Sequence, residues 1–147
     1  LGDVNKRQMK EYVVFEQMPE ARPAADAAFA DKWARIMAVR DDVKKVLEQA
    51  RADKVIGSSL EAALTLYAEG PVYELLNAIP MNELADLMIV SRATLVEGKG
   101  GVQGTVEGLG VEAGRAAGNK CLRCWKFDEQ VGEDGLCPRC ARVLDRA

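Results

Sequence analysis

Residues 121–140 read CLRCWKFDEQVGEDGLCPRC and hold all four cysteines of this 147-residue chain, which has no histidine. The spacing is Cys-x2-Cys, twelve residues, Cys-x2-Cys. Each pair can form a tight knuckle, and the twelve residues between the pairs can fold as a hairpin, with WKFDEQV leading out, GLC returning and the turn at GEDG (132–135). That hairpin brings four sulfurs together as a tetrahedral cage, which suits Zn2+. The sequence therefore predicts one structural zinc ion bound by Cys121, Cys124, Cys137 and Cys140.

A cage of four protein ligands is closed, so it leaves no position for water or substrate and predicts a structural role rather than a catalytic one. Iron in a rubredoxin-like site has the same ligand set and remains an alternative metal. A redox dithiol needs one reactive pair at the end of a strand, and two pairs argue against it. Two disulfides would require export, which nothing in the sequence indicates, so we expect a cytoplasmic protein.

Basic and aromatic residues surround the cysteines, and they allow two interpretations of equal weight. Zinc held by four thiolates carries a formal charge of −2, so the bases could simply balance it. Alternatively, Arg and Lys could contact phosphates while an aromatic ring stacks on a base of single-stranded or looped RNA. The candidate RNA-binding residues are Arg123, Trp125, Lys126, Arg139 and Arg142, with Lys120 nearby and weaker candidates at Arg40, Arg51 and Lys54.

Composition excludes some functional classes. The net charge is −3, which argues against a general polyanion binder, although residues 115–147 carry seven bases against five acids. No apolar run approaches the ~20 residues that span a bilayer, so no membrane partner is expected. The chain starts on Leu1 without a signal-peptide pattern, and we interpret it as a fragment of a longer protein.

The pattern upstream of the cysteines predicts an α+β fold. Apolar residues at spacings of three and four predict a long helix over 24–55 that stops at Gly57. Alternation predicts a strand over 58–68, and Pro71 and Asn82 predict the starts of short helices over 71–79 and 81–88. A further strand over 89–96 is expected to form a hairpin with a returning strand over 105–113, joined by the glycine-rich loop 97–104. That loop has no phosphate-binding motif.

We therefore expect a long helix, a small mixed sheet with short helices, and a C-terminal zinc ribbon. The predicted divisions are a lead-in over 1–23, with a short strand or docked segment at 12–16, an α+β junction domain over 24–118, and a four-cysteine zinc-ribbon module over 119–147.

Several segments resemble bacterial isoleucyl-tRNA synthetases. KCLRCW followed by LCPRC is similar to their terminal zinc module. Upstream, VVFEQMPEA resembles the exit from the anticodon-binding helical bundle, and the segment from WARIMAVRDDVKKVLEQ to EAALTLYA resembles the long helix and strand of the junction region. ELADLMIVSRATLV and GVEAGRAAGNKC resemble the strands leading into the zinc module.

The resemblance implies a fragment of a large class I enzyme that joins isoleucine to its tRNA with ATP. The fragment lacks the His-Ile-Gly-His and Lys-Met-Ser-Lys-Ser motifs of that class, so it is expected to carry no catalytic residue. Its implied partners are the anticodon side of the isoleucine tRNA and the rest of the synthetase chain, with no DNA. The alternatives are a zinc-ribbon scaffold for a protein partner and a zinc module of the DNA-glycosylase type.

Overall fold

The computed structural model describes residues 26–145, so the predicted strand at 12–16 and the lead-in lie outside the described residues. In chain order the elements are α1 (Ala27–Ala52), a 3-10 turn (Ser59–Glu61), β1 (Ala62–Ala68), α2 (Gly70–Asn77), α3 (Met81–Met88), β2 (Arg92–Glu97), β3 (Val102–Gln103), β4 (Leu109–Arg115), β5 (Asn119–Lys120), β6 (Phe127–Asp128) and α4 (Pro138–Leu144). The predicted α+β class, with a long helix and a small mixed sheet, is confirmed.

Helix α1 has 26 residues and is therefore about 39 Å long. It starts where the Asp26 side chain accepts a hydrogen bond from the Ala28 N–H at 3.2 Å. Its C-terminal two thirds bury one face of the helix, whereas Phe29 near the N-terminus is 55% exposed. The buried residues of that face are the apolar Ile36, Val39, Val43, Leu47 and Ala50, together with Asp42.

The end of α1 differs from the prediction, because Gly57 does not stop the helix. Asp53 is the C-cap, and Lys54 adopts a left-handed backbone with φ 59°. The Val55 N–H donates to the Ala50 carbonyl at 2.9 Å and the Lys54 N–H donates to the Arg51 carbonyl at 3.0 Å. These two bonds satisfy the Ala50 and Arg51 carbonyls in the last helical turn, so a local capping motif ends the helix before the glycine.

The main sheet has the order β2-β1-β4-β3, with β1 parallel to β2 and antiparallel to β4. Alternate β1 residues face the core, which confirms a half-buried strand, although residues 59–61 form a 3-10 turn instead of extending it. Helices α1, α2 and α3 contribute to the same core. Its fully buried members include Leu64 and Leu66 from β1, Leu76 from α2 and Leu84 from α3.

The predicted hairpin between 89–96 and 105–113 is wrong. Strand β2 pairs with β1 in parallel because helices α2 and α3 form a crossover between them, and β4 lies on the other side of β1. The glycine-rich segment instead crosses to the far edge, where β3 pairs with β4 through Val102 and Gln103. A Cβ on Gly110 of β4 would fall 1.8 Å from the Gly100 carbonyl oxygen, so the close approach of the two backbones explains Gly110.

The short helices are close to the prediction, and Pro71 lies in the first turn of α2 as expected, but the predicted cap of α3 is wrong. Helix α3 begins at Met81 with Pro80 in the N-cap position, so Asn82 is not the N-cap. It ends where Ile89 adopts a left-handed backbone with φ 58° and the Val90 N–H donates to the Ala85 carbonyl at 2.9 Å. This reversal delays strand β2 to Arg92, three residues later than predicted.

Asp42 ties the glycine-rich segment to α1. Its carboxylate is 1% exposed and accepts hydrogen bonds from the Thr105 N–H at 2.7 Å, the Val106 N–H at 2.8 Å, the Thr105 hydroxyl at 2.8 Å and Lys45 Nζ at 2.9 Å. Burial opposes ionisation, but the bonds from Lys45, Val106 and Thr105 outweigh it and lower the pKa of Asp42 to about 2. A buried charge with four donors is therefore an anchor between helix and loop.

Within residues 26–145, no helix combines the length and apolar character needed to cross a bilayer.

Candidate metal centre and nucleic-acid surface

The four cysteine sulfurs come together after the main sheet, at the small β5–β6 sheet and helix α4. All four sulfur atoms lie within 4.8 Å of one another, and the four cysteines are free thiols. The Cys124 and Cys137 sulfurs are 3.8 Å apart. A regular tetrahedron with zinc–sulfur bonds of ~2.3 Å has sulfurs about 3.8 Å apart, so the cluster has the dimensions of a zinc cage.

The two knuckles are built by local backbone bonds. The Trp125 N–H donates to the Cys121 carbonyl at 2.9 Å, and the Leu122 N–H donates to the Gly135 carbonyl at 2.9 Å, which joins the first knuckle to the second. The Cys137 N–H points at the Cys121 sulfur at 3.3 Å. Backbone donors aimed at a sulfur stabilise a thiolate, which is the form that binds metal.

The segment between the cysteine pairs departs from the predicted hairpin in its pairing. The turn at 132–135 is present, with the Gly135 N–H donating to the Gly132 carbonyl at 3.0 Å. However, β6 pairs with the upstream β5, through Lys120 with Phe127, rather than with the returning GLC segment. The paired strands β5 and β6 therefore flank the first cysteine pair on both sides, and the turn at 132–135 precedes the second cysteine pair.

The thiol electrostatics favour partial ionisation without metal. Burial disfavours a charge on Cys121, but backbone bonds from Cys124, Cys137 and Arg123 outweigh it and lower the pKa of Cys121 to about 6. Burial raises the pKa of Cys124 to about 12, and the neighbouring thiols add to the increase. Burial also raises the pKa of Cys137. Four thiolates so close together need a cation to offset their repulsion.

The donor set fits a closed structural site. Cys121, Cys137 and Cys140 are buried and Cys124 is half-buried. Four protein sulfurs complete a tetrahedral coordination, so no metal position remains for water or substrate. Four sulfur donors with tetrahedral spacing select zinc or iron over the hard cations, which prefer oxygen ligands. When bound, zinc supplies folding energy to this segment.

Trp125 lies on the outer surface of the first knuckle. It adopts a left-handed backbone with φ 66°, and its side chain is 59% exposed. Lys120 Nζ lies 5.2 Å from the centroid of the Trp125 ring, within range of a cation–π contact. Leu122, on the same knuckle, is 72% exposed. The knuckle therefore presents apolar and basic groups together to solvent.

The structure separates the other candidate RNA contacts into two groups. Arg123, Arg139 and Arg142 are exposed around the cage. Lys126 instead forms an ion pair with Asp86 of α3, and its side chain is 24% exposed. The weaker candidates have structural contacts of their own. On α1, Arg40 donates to the Leu87 carbonyl at 2.9 Å and Arg51 pairs with Glu48 at 2.7 Å. Lys54 follows the helix and belongs to its capping motif.

Sequence reasoning missed the residues that attach this small region to the main sheet. The Ser91 hydroxyl accepts a hydrogen bond from Phe127 of β6, and Asp86 pairs with Lys126. Each contact joins residues more than 35 positions apart, and no local pattern marks such long-range contacts. Leu122 was also missed, because a leucine between two cysteines does not by itself indicate an exposed position.

A family model described as "Zinc finger found in FPG and IleRS" matches residues 118–143. Isoleucine–tRNA ligase of Geobacter sulfurreducens is 47% identical over 136 residues, covering 86% of this chain and 14% of that protein. The corresponding ligases of Desulfitobacterium hafniense (strain DCB-2) and Proteus mirabilis are 40% and 39% identical, covering 90% and 80% of this chain and 15% and 13% of their own lengths.

The chain corresponds to a zinc-binding segment of isoleucine–tRNA ligase. The resemblance read from the sequence is thereby confirmed. The family match and the four-sulfur cluster together support one structural zinc. The chain spans about a seventh of the length of the isoleucine–tRNA ligases that it matches.

Proposed function

We propose that this chain is the part of an isoleucine–tRNA ligase that holds the anticodon side of the tRNA, through a zinc module over residues 119–147 carried by a junction domain over 24–118. Its partners are the isoleucine tRNA and the rest of the synthetase. The names of the relatives support the enzyme class, and the zinc-finger match supports the module. The contribution to catalysis is indirect, because holding the distant end of the tRNA presents the acceptor end in the correct geometry.

The metal ligands in this proposal are Cys121, Cys124, Cys137 and Cys140. Their sulfurs lie within 4.8 Å of one another, and three of the four side chains are buried. Zinc holds the two knuckles together and so fixes the residues between the cysteines, including Trp125 and Arg123. The metal therefore shapes the RNA-binding surface without touching the RNA.

The observation that carries the RNA-binding proposal is the conformation of Trp125. A non-glycine residue in a left-handed backbone costs about 1 kcal/mol, which glycine would avoid. The Trp125 ring does not offset this cost by entering the core, because it is 59% exposed. Strain of this kind, with the ring held outward beside Lys120, supports a role in binding. Base stacking on an exposed tryptophan is the use that fits a looped RNA.

Arg123, Arg139 and Arg142 supply the phosphate contacts in this proposal, since all three are exposed around the cage. Lys126 has a different role, because its charge is already paired with Asp86 at the boundary with the main sheet. The formal charge of −2 on the zinc cage offsets part of the positive charge of these three arginines. In this proposal they contact RNA phosphates although the surface around the cage is not strongly basic.

The test is tRNA binding by the full chain loaded with zinc, comparing the wild type with Trp125→Gly. Loss of one stacked base weakens binding by roughly 5- to 100-fold, and glycine keeps the left-handed backbone. Phe29→Ala is the matched control, because Phe29 is an equally exposed aromatic residue on α1, where no RNA contact is proposed. Unchanged tRNA affinity in Trp125→Gly would reject the stacking role.

A second arm tests the phosphate contacts. Arg142→Gln should reduce the magnitude of the slope of log affinity against log salt by about 0.7 to 0.9, because a complex with one phosphate contact fewer releases fewer counterions when it forms. Arg35→Gln on α1 serves as the control, since Arg35 contacts the Pro71 carbonyl at 3.3 Å. Equal binding of duplex DNA and tRNA in either arm would favour the DNA-glycosylase type of module instead.

A further inference from the structure

The Ser91 side chain lies at the junction between the main sheet and the zinc-binding region. Its hydroxyl donates to the Leu60 carbonyl at 2.5 Å and accepts a hydrogen bond from the Phe127 N–H at 2.7 Å. Leu60 precedes the central strand β1, and Phe127 is the first residue of β6, three residues after Cys124. One hydroxyl therefore joins the 3-10 turn that leads into β1 to the strand that follows the first knuckle.

The backbone around Ser91 is held in place from both sides. The left-handed Ile89 ends α3 and turns the chain, Val90 is fully buried, and the Ser91 N–H donates to the Ala62 carbonyl at 3.0 Å. The hydroxyl thus extends from a rigid corner of the junction domain. A rigid donor and acceptor can set the orientation of the element that it contacts.

Other contacts across this boundary are weaker anchors. Lys126 and Asp86 form an ion pair in which the Asp86 side chain is 56% exposed. Arg92 lies 3.6 Å from Glu129, with both side chains at least 60% exposed. Exposed ion pairs contribute little and are screened by salt. The half-buried Ser91 contact is the directional one, since hydrogen bonds weaken steeply when they are misaligned.

We infer that Ser91 is a positioning residue that fixes the zinc-binding region on the main sheet and, through β6, sets the direction in which Trp125 faces the tRNA; the RNA part of this inference rests on the proposed function. The segment from Cys124 to Phe127 is only four residues long, so a rotation of β6 moves the Trp125 ring with it. The junction domain and the zinc region then act as one binding body rather than as a domain with a flexible finger.

The experiment compares the zinc-loaded wild type with Ser91→Ala, Ser91→Thr and Ser59→Ala. Residual dipolar couplings are measured separately for amides of residues 62–115 and 119–144, and tRNA affinity is measured on the same samples. In the wild type both regions should fit one alignment tensor. Ser91→Ala should require two tensors, keep one zinc per chain, and bind tRNA about 3- to 10-fold more weakly. Ser91→Thr, which keeps the hydroxyl, should restore both properties.

Ser59→Ala is the matched control, because the Ser59 hydroxyl accepts from Arg51 at 3.2 Å, away from the zinc region. One shared tensor in Ser91→Ala would overturn the inference, whatever the RNA result. Two tensors with unchanged tRNA affinity would also overturn the positioning role, if Trp125→Gly weakens tRNA binding on the same assay. The failure of the proposed function can be told apart from the failure of this inference. In the first case Trp125→Gly leaves tRNA affinity unchanged, while the alignment tensors still show whether Ser91 fixes the two regions together.

Discussion

The two regions of this molecule are held together by different physics. In the region of the main sheet, α1, α2, α3 and the strands share a core that includes the fully buried Leu64, Leu66 and Leu84. In the region of β5, β6 and α4, the buried cluster consists of Cys121, Cys137 and Cys140, with Cys124, Val131 and Leu136 packed against it. Fewer than 30 residues with so little apolar burial do not fold unaided, so metal replaces the core there.

This difference explains where the candidate binding residues lie. A large apolar side chain in the first region can be drawn into the core, and most are. In the second region the interior is occupied by sulfur, so Leu122 and Trp125 remain 72% and 59% exposed. A metal-held fold can therefore present apolar groups to a partner at little cost in stability, because those groups were never part of its core.

The largest expected effect comes from removing the metal. With a reductant present to keep the thiols free, a strong chelator should abolish hydrogen-exchange protection at the Cys121, Leu122 and Trp125 amides, while amides of β1 stay protected. Zinc contributes on the order of 10 kcal/mol to modules of this kind, far more than their cores do. Amide exchange followed residue by residue by NMR measures both regions at once.

Adding zinc back should restore the protection, and Cys140→Ser should reproduce its loss without a chelator. Protection that persists at Trp125 in the metal-free protein would mean that the second region has a sufficient core of its own, which would remove the contrast between the regions.

The next effect tests the apolar core with two leucines. Leu66→Ala deletes a fully buried side chain and should destabilise the first region by about 3 kcal/mol, through lost burial and a residual cavity. Leu122→Ala removes the same atoms from an exposed position and should change stability by less than about 0.5 kcal/mol. Urea unfolding monitored at β1 and β4 amides measures both, and equal losses in the two variants would contradict the assignment of the core.

The third effect concerns the buried charge in the first region. The pKa of Asp42 is lowered to about 2 in the folded state, against 3.8 for the free side chain. The unfolded chain therefore binds the proton more readily, so the stabilisation is complete above pH 3.8 and is lost as pH falls through about 2. It amounts to about 2 kcal/mol near neutral pH, and Asp42→Asn should remove most of it.

Urea midpoints of wild type and Asp42→Asn, measured at pH 6 and at pH 2.5 on β4 amides, test this. The difference should be large at pH 6 and should shrink at pH 2.5. Asp41→Asn is the neighbouring control, because Asp41 forms an exposed pair with Lys44 at 3.2 Å and should matter little at either pH. A constant difference between wild type and Asp42→Asn would show that packing, not charge, accounts for it.

The same division determines how much the sequence could predict. The cysteine spacing alone was sufficient for the cage, because four ligands within twenty residues need only local folding. The period of α1 likewise marked its buried face. Strand order was not predictable locally: β2 lies beside β1 and not β4 because of a crossover of two helices, and the Asp42 and Ser91 bonds join residues 63 and 36 apart in the chain. Such contacts have no periodic signal.

The smallest effect separates the backbone of Trp125 from its ring. Trp125→Gly removes the ring and suits the left-handed backbone, whereas Trp125→Ala removes the ring and keeps the strain. Glycine should therefore hold zinc about fivefold more tightly than alanine in competition with a chromophoric chelator, which corresponds to the ~1 kcal/mol cost of that conformation. If alanine retains zinc as tightly as glycine, the position is not strained.

Because both variants lack the ring, they should lose tRNA affinity equally even though they differ in zinc retention. In the metal-held region, one substitution can therefore remove the group proposed to bind RNA and relieve backbone strain at the same time. In the apolar core, removing a buried side chain such as that of Leu66 can only destabilise the fold.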